Sequence, residues 1–245
     1  VARYEWIAIM HADDVALPRR LERQLAAAES NPRVVGWGAY AYHISEKGTV
    51  LGVSMTGPTT EEEFYGLLQR GEVVLVIHPT AFLSKQAVLR AGGYNSFFDG
   101  SEELELFDRL ADLGPILAIP EPLLYYRIHS ATITMRNFFK MRVYTRYVRA
   151  RRQAKAIGTK PPAWEDFIWE YERQPVLKRL RRHVDNLSQF YYRKFGVSIS
   201  GERYLQGLVY FTLSAILNPK YSLPRAWKQR FSAPSRRCLE NVHGQ

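Results

Sequence analysis

Cysteine is nearly absent from this chain, and long apolar runs are absent altogether. A single thiol, Cys238, among 245 residues excludes an internal disulfide framework and any zinc site built on several cysteines. That scarcity fits a reducing compartment. No stretch of about 18 consecutive apolar residues occurs, so no membrane-spanning helix is expected. The nearest candidate, residues 208–217, is short and carries Thr212 and Ser214. No signal-peptide pattern is visible, and together these absences predict a cytoplasmic protein. Internal repeats and low-complexity tracts are missing as well. The balance of 46% hydrophobic and 24% charged residues is that of an ordinary globular chain, long enough to bury a core.

Charge is unevenly shared. Residues 1–135 hold 11 Lys and Arg against 17 Asp and Glu, a net −6, whereas residues 136–245 hold 23 against 7, a net +16. The division predicts an acidic part, 1–135, and a basic helical part, 136–245, that faces something anionic.

In the first part, short strand-like runs alternate with helices. The apolar run Trp6, Ile7, Ala8, Ile9 and Met10 reads as a buried strand. Residues 18–30 read as a helix with Leu21, Leu25 and Ala28 on one face, stopped by Asn31 and Pro32. Residues 34–42 and 50–53 read as strands around a Glu46, Lys47, Gly48 turn. Thr60 with Glu63 forms a capping box for a helix ending near Arg70. Residues 73–77 read as a buried strand, 80–83 as a further apolar run, 102–113 as a helix closed by Gly114, and 116–119 and 123–127 as returning strands. The alternation predicts an α/β layered fold.

Helical texture follows. Residues 136–157 read as a long basic helix with Phe139, Val143 and Tyr147 on one side, broken by Pro161 and Pro162. Leu177, Leu180, Val184, Leu187, Tyr191 and Phe195 then recur at three- and four-residue spacing up to Gly196, and 200–217 is a further helix.

Chemistry is concentrated at three places. The first strand ends in His11, Ala12, Asp13 and Asp14, two adjacent carboxylates at the end of a sheet strand, where open α/β sheets bind ligands. With no arginine placed beside them by the sequence, a divalent cation is the simplest means of holding them together; the alternative is that one of them caps the helix beginning near Pro18. Glu102, Glu103 and Glu105 open a helix, where acids are favoured by the macrodipole and where one of them can serve as a general base. Tyr125, Tyr126, Arg127, Ile128 and His129 leave a strand, and His78 precedes a proline at another strand exit.

The order of these pieces is informative. His-Ala-Asp-Asp with Leu-Pro-x-Arg-Leu, then His-Pro-Thr with Gly-Gly-Tyr-Asn, then Glu-Glu-x-Glu-Leu, then Pro-Glu-Pro-Leu-Leu-Tyr-Tyr-Arg-x-His, resembles the family 2 glycosyltransferases of the GT-A fold over roughly residues 4–134. The resemblance implies a Rossmann-like mixed sheet with flanking helices, here partial, followed by a helical C-terminal extension. It also implies transfer of a sugar from a nucleotide-diphosphate donor to an acceptor hydroxyl, with inversion, in the synthesis of a cell-envelope polysaccharide or glycolipid.

Residue by residue, it makes Asp13 and Asp14 the ligands of Mg²⁺ or Mn²⁺, with His11 standing where the family's first motif acid falls. Glu103 becomes the base, with Glu102, Glu105 and His78 on the acceptor side and Arg127 and His129 near the diphosphate. The family's leading strand, of the form Val-Ser-Val-Ile-Ile-Pro-Thr-Tyr-Asn, does not precede Val1. The sequence is therefore expected to be a fragment, a truncated gene product or a degenerate member that carries the metal, acceptor and base elements but lacks most of the nucleotide pocket, and to expose an apolar sheet edge and face.

The expected partners are a nucleotide-sugar donor, a saccharide or lipid-linked acceptor and, through 136–245, the anionic inner face of a membrane. An inactive relic serving as an interaction surface is an alternative reading. A nucleic-acid-binding protein is another, resting on an isoelectric point near 9.7 and on interleaved aromatics. No nucleic-acid motif accompanies that charge, and no specific nucleic-acid partner is expected.

Overall fold

A computed structural model describes residues 2–128 and 137–230. Two compact units are present. The first comprises Val1–Tyr42, Ser54–Tyr126 and Val143–Pro162; the second comprises His43–Val53, Arg127–Arg142 and Ala163–Gln245. Residues 143–162 of the basic segment belong to the first unit. In the first unit the reason is electrostatic: Arg152 Nε donates to the buried Asp108 carboxylate at 2.7 Å, and Arg152 Nη1 donates to Asp112 at 2.8 Å. Lys155 reaches the same two acids. Part of the basic charge that the sequence directs outward is therefore neutralised inside the protein.

The strands of the sheet are β1 (Trp6–Ala8), β2 (Val15–Ala16), β3 (Gly36–Ile44), β4 (Val50–Ser54), β5 (Phe82–Ser84) and β6 (Ile116–Arg127). Their order is β1-β5-β3-β6-β2, and β4 pairs with β3. Pairing is antiparallel between β1 and β5 (Ile7 opposite Leu83), β3 and β5 (Trp37 opposite Phe82), and β2 and β6 (Val15 opposite Tyr125). β3 carries the core through Trp37 and Ala39, and Gly38 is obligatory there because a Cβ would lie 2.4 Å from Val76 Cβ. Phe64, Leu106, Phe107, Leu110, Ile116 and Leu123 complete the buried cluster. The α/β expectation holds: a sheet flanked by helices.

The helices of the first unit are α1 (Arg20–Ser30), α2 (Glu61–Gln69), α3 (Lys85–Arg90) and α4 (Glu102–Leu110). The cap of α2 is half as expected. Thr60 Oγ1 accepts from the Glu63 N–H at 3.2 Å, while the Glu63 carboxylate accepts from the N–H of Thr59, one residue further out.

Three expectations are corrected. Residues 73–77 form no strand; Val74 and Val76 are buried in irregular backbone that leads to a single 3₁₀ turn, His78–Thr80. The two runs 116–119 and 123–127 are one continuous strand, β6, despite Pro120 and Pro122. Helix α1 buries Arg20, Gln24 and Ala28, leaving Leu21 (59%) and Leu25 (45%) exposed. Polar residues face inward because they serve buried backbone: Arg20 Nη2 donates to Ile9 O at 2.6 Å and Gln24 Nε2 to Thr80 O at 2.5 Å. Exposed Leu25 lines a concave surface beside β1 with Tyr4, Trp6 and Phe82 and with the charged Arg3, Glu5 and Lys85.

Helix α5 (Phe138–Ala156) runs through residues of both units. Its buried aromatics are Phe138, Tyr144 and Tyr147; Phe139, expected inside, is exposed. The second unit continues with α6 (Trp164–Arg173), α7 (Val176–Ser200), α8 (Tyr204–Leu217) and α9 (Pro219–Arg230). Helix α7 runs through Gly196 without a break, and its expected apolar stripe fails in the first turns, where Leu177 and Leu180 are exposed.

Candidate active site

The strand order determines where the acidic motif goes. β1 and β2 are the two outer strands of the sheet, so residues 9–14 carry the chain from one edge to the other across the end of the sheet. A turn at Ala12 and Asp13 interrupts that segment. His11, Asp13 and Asp14 are strung along that crossing.

Neither aspartate caps α1. Its N-cap is Arg19, with no side-chain capping bond. The assumption that the pair lacks an arginine is also corrected: the charges of buried Arg20 and Asp14 interact, although burial on balance pushes the guanidinium below its ordinary range. Arg20 anchors the crossing through Ile9 O and the Met10 sulfur.

Antiparallel pairing of β1 with β5 brings the end of one strand beside the start of the other. Ile9 N–H donates to Ala81 O at 2.8 Å, and the next residues outward place His11 Nε2 3.2 Å from His78 Nδ1. Thr80, fully buried, pins the turn by donating to Ile77 O and accepting from Ala39 N–H. His78 Nε2 lies 2.9 Å from the Tyr94 hydroxyl. Burial, then the neighbouring His11, pushes His78 down to about 4, so its ring is neutral at pH 7.

Tyr94 sits on a turn with Gly92 and Gly93 at φ +86° and +70°, conformations that favour glycine. Arg109 braces that turn by donating to Ala91 O and to Gly93 O, and Glu105 in turn holds Arg109. Glu105 also accepts from Arg151 at 3.0 Å. Its carboxylate is thus buried in ion pairs with Arg109, which holds the Tyr94 turn, and with Arg151. Burial pushes the Tyr94 hydroxyl up to about 12, and the charges of Glu103 and then Glu102 add to the shift. Glu102 and Glu103 therefore act electrostatically on Tyr94, and Glu102 Oε2 is buried without a hydrogen-bond partner.

Two predicted residues are not part of this group. Arg127 lies in the second unit and donates to the carbonyl oxygens of Ser45 and Glu46. His129 lies outside the described residues. Conversely, sequence reading placed Tyr94 in a turn and Arg20 in a motif without giving either a task. The Gly-Gly-Tyr and Leu-Pro-x-Arg-Leu patterns were the signals that could have found them.

His11, Asp13 and Asp14 each offer a ligand atom within 4.8 Å of the others. Asp14 is buried, Asp13 is exposed, and His11 Nδ1 stands 3.7 Å from Asp14 Oδ2. Two carboxylates and an imidazole, one acid buried and one open to solvent, are a donor set that could hold a divalent metal ion.

Residues 1–93 match the sequence model of Glycosyl transferase family 2. An uncharacterized glycosyltransferase of Haemophilus influenzae is 27% identical over 135 residues, which is 55% of this chain and 49% of that protein. The O-antigen biosynthesis glycosyltransferase WbnJ of Escherichia coli is 29% identical, over 60% of this chain and 61% of its own length. The amylovoran biosynthesis glycosyltransferase AmsE of Erwinia amylovora is 28% identical, over 56% and 51%. The chain spans about half the length of the curated relatives it matches.

Proposed function

We propose that this chain carries the metal, base and acceptor elements of an inverting glycosyltransferase that moves a sugar from a nucleoside-diphosphate donor to an acceptor hydroxyl. The observation that supports this best is the assembly, within one unit, of His11, Asp13 and Asp14 with His78 and Tyr94, the last under the charge of Glu103.

In this reading Asp13 and Asp14, with His11, hold a divalent cation. When bound, that cation supplies positive charge to the departing nucleoside diphosphate. The Glu103 carboxylate accepts the proton of the acceptor hydroxyl as its oxygen bonds to the anomeric carbon. The bond from that carbon to the diphosphate oxygen breaks, and the nucleoside diphosphate leaves with the electron pair.

The His11–His78–Tyr94 chain orients the site. If His11 uses Nδ1 toward the aspartates, its Nε2 carries the proton and donates to His78 Nδ1. Neutral His78 then donates from Nε2 to the Tyr94 oxygen, leaving the Tyr94 O–H to donate to an acceptor-side group. Arg127 and His129 are assigned to the diphosphate side. WbnJ and AmsE are named for O-antigen and amylovoran biosynthesis, which supports a polysaccharide or glycolipid acceptor. The basic segment 136–245 is assigned to peripheral contact with an anionic membrane surface; no helix among the described residues is long and apolar enough to cross one.

Titration of the chain with Mn²⁺, followed by the loss of the free-ion paramagnetic resonance signal, tests the metal element. Asp13→Ala should weaken binding by at least about tenfold. Equal affinity in Asp13→Ala and the parent would remove Asp13 from the site.

A further inference from the structure

Helix α8 is amphipathic in the reverse sense. Its inward residues are Gly207 and Ser214, while Leu205 (84%), Leu208 (61%), Val209, Leu213 and Ile216 (73%) face outward. It contains no charged residue. Against α7 the contact combines aromatic pairs, Phe195 with Phe211 at 5.1 Å and Tyr191 with Tyr210 at 6.0 Å, with a line of small and hydroxyl side chains. Ser214 Oγ donates to Ser188 O at 2.7 Å and Ser188 Oγ to Ser214 O at 2.9 Å; a Cβ on Gly207 would lie 2.9 Å from Ile199 Cδ1. Water drives large aliphatic groups inward and does not produce this pattern, whereas close helix approach on small residues with serine hydrogen bonds is how helices associate in lipid. Helix α9 extends the apolar face with exposed Leu223 and Trp227.

The surroundings are cationic. From Arg203 to Arg230 the sequence has five Lys and Arg (Arg203, Lys220, Arg225, Lys228, Arg230) and no Asp or Glu. Two copies of this chain meeting through such a face would bring like charges together, which disfavours self-association. An anionic lipid surface satisfies both the apolar stripe and the cationic border. At 14 residues, roughly 21 Å of helix, α8 is too short to span a bilayer.

We propose that the outward face of α8, extended by Leu223 and Trp227 of α9, is a monotopic insertion surface that lies in the interface of an anionic membrane. This rests on, and sharpens, the assignment of segment 136–245 to such a surface. Leu205, Leu208 and Ile216 enter the acyl boundary, and Lys220 and its cationic neighbours meet the phosphates.

Flotation of the full 245-residue chain with vesicles tests it. The parent chain should float with phosphatidylglycerol-containing vesicles and not with pure phosphatidylcholine. The double variant Leu208→Gln with Ile216→Gln should lose at least tenfold in partitioning. Leu89→Gln, a change at an exposed leucine of the first unit, should change nothing. A solvatochromic label on Leu208→Cys in a Cys238→Ser background should shift to the blue with anionic vesicles, and a label on Leu89→Cys should not.

If the parent floats and the double variant floats equally, the α8 face is not the contact and only the broader membrane assignment survives. If the parent does not float, both fall. A dimer in sedimentation equilibrium that the double variant disperses, without flotation of the parent, overturns the proposal in favour of self-association.

Discussion

The Tyr94 hydroxyl lies 2.9 Å from His78 Nε2, which ties the glycine turn before α4 to the turn that opens β5. Removing the hydroxyl isolates its contribution without disturbing the ring. Tyr94→Phe should cost about 1 kcal/mol of stability, the ordinary value of one hydrogen bond. In the transferase reading it should also lower the rate of nucleoside-diphosphate release by about tenfold or more, because the acceptor side loses an oriented donor. A normal rate with the expected loss of stability would reduce Tyr94 to a structural role.

Glu103→Gln removes the proposed base while keeping size and polarity. Turnover should be abolished while Mn²⁺ affinity stays within about twofold, since Glu103 is not among the grouped ligands. Retained turnover would move the base to Glu102, because Glu105 is held by Arg109 and Arg151.

The Asp108–Arg152 pair is buried on both sides, at 0% and 5% side-chain exposure. Asp108→Ala leaves the Arg152 charge buried with fewer partners and should destabilise the protein by about 3–5 kcal/mol in urea denaturation. Arg19→Ala, which breaks a solvent-exposed pair with Glu22, should leave the midpoint unchanged. Equal effects of the two would mean that the pairing of residues 143–162 with α4 contributes little.

His43 supplies a pH dependence. Burial, and then the Arg225 charge, pushes its imidazole from 6.5 down to about 4 in the folded protein. Above pH 6.5 the ring is neutral whether folded or unfolded, and stability does not change with its titration. As pH falls from 6.5 to 4 the unfolded chain binds a proton that the folded chain refuses, so stability falls. The loss reaches at most about 3 kcal/mol below the folded value. Urea midpoints between those limits should decline less steeply in His43→Gln; parallel curves would assign the decline to other groups.

Local physics was enough for much of this protein. The apolar run and the two acids that follow it announce a sheet strand ending in a charged site, because alternation, turn residues and caps act within a few positions. The Thr60 cap, the Gly48 turn and the limits of α1, α4 and α8 follow from such short-range preferences to within a few residues. The order of the acidic and histidine motifs likewise points from residues alone to the family whose sequence model matches residues 1–93.

What the sequence could not determine depends on which strands become neighbours. Only the order β1-β5-β3-β6-β2 makes residues 9–14 cross the sheet end, and only the β1–β5 ladder brings His78 to His11, 67 positions away. The same tertiary demand inverted α1, where Arg20 and Gln24 go inside to satisfy carbonyl groups of distant residues while Leu21 and Leu25 stay out. It also inverted α8, whose leucines hydrophobic patterning alone would have buried. Periodicity tells which residues share a face, but it does not tell which face is needed by the backbone groups and hydroxyls of a partner far away in the chain. The candidate residues were legible in the order of the motifs; the contacts that Tyr94, Arg20 and Glu105 make were decided by the fold.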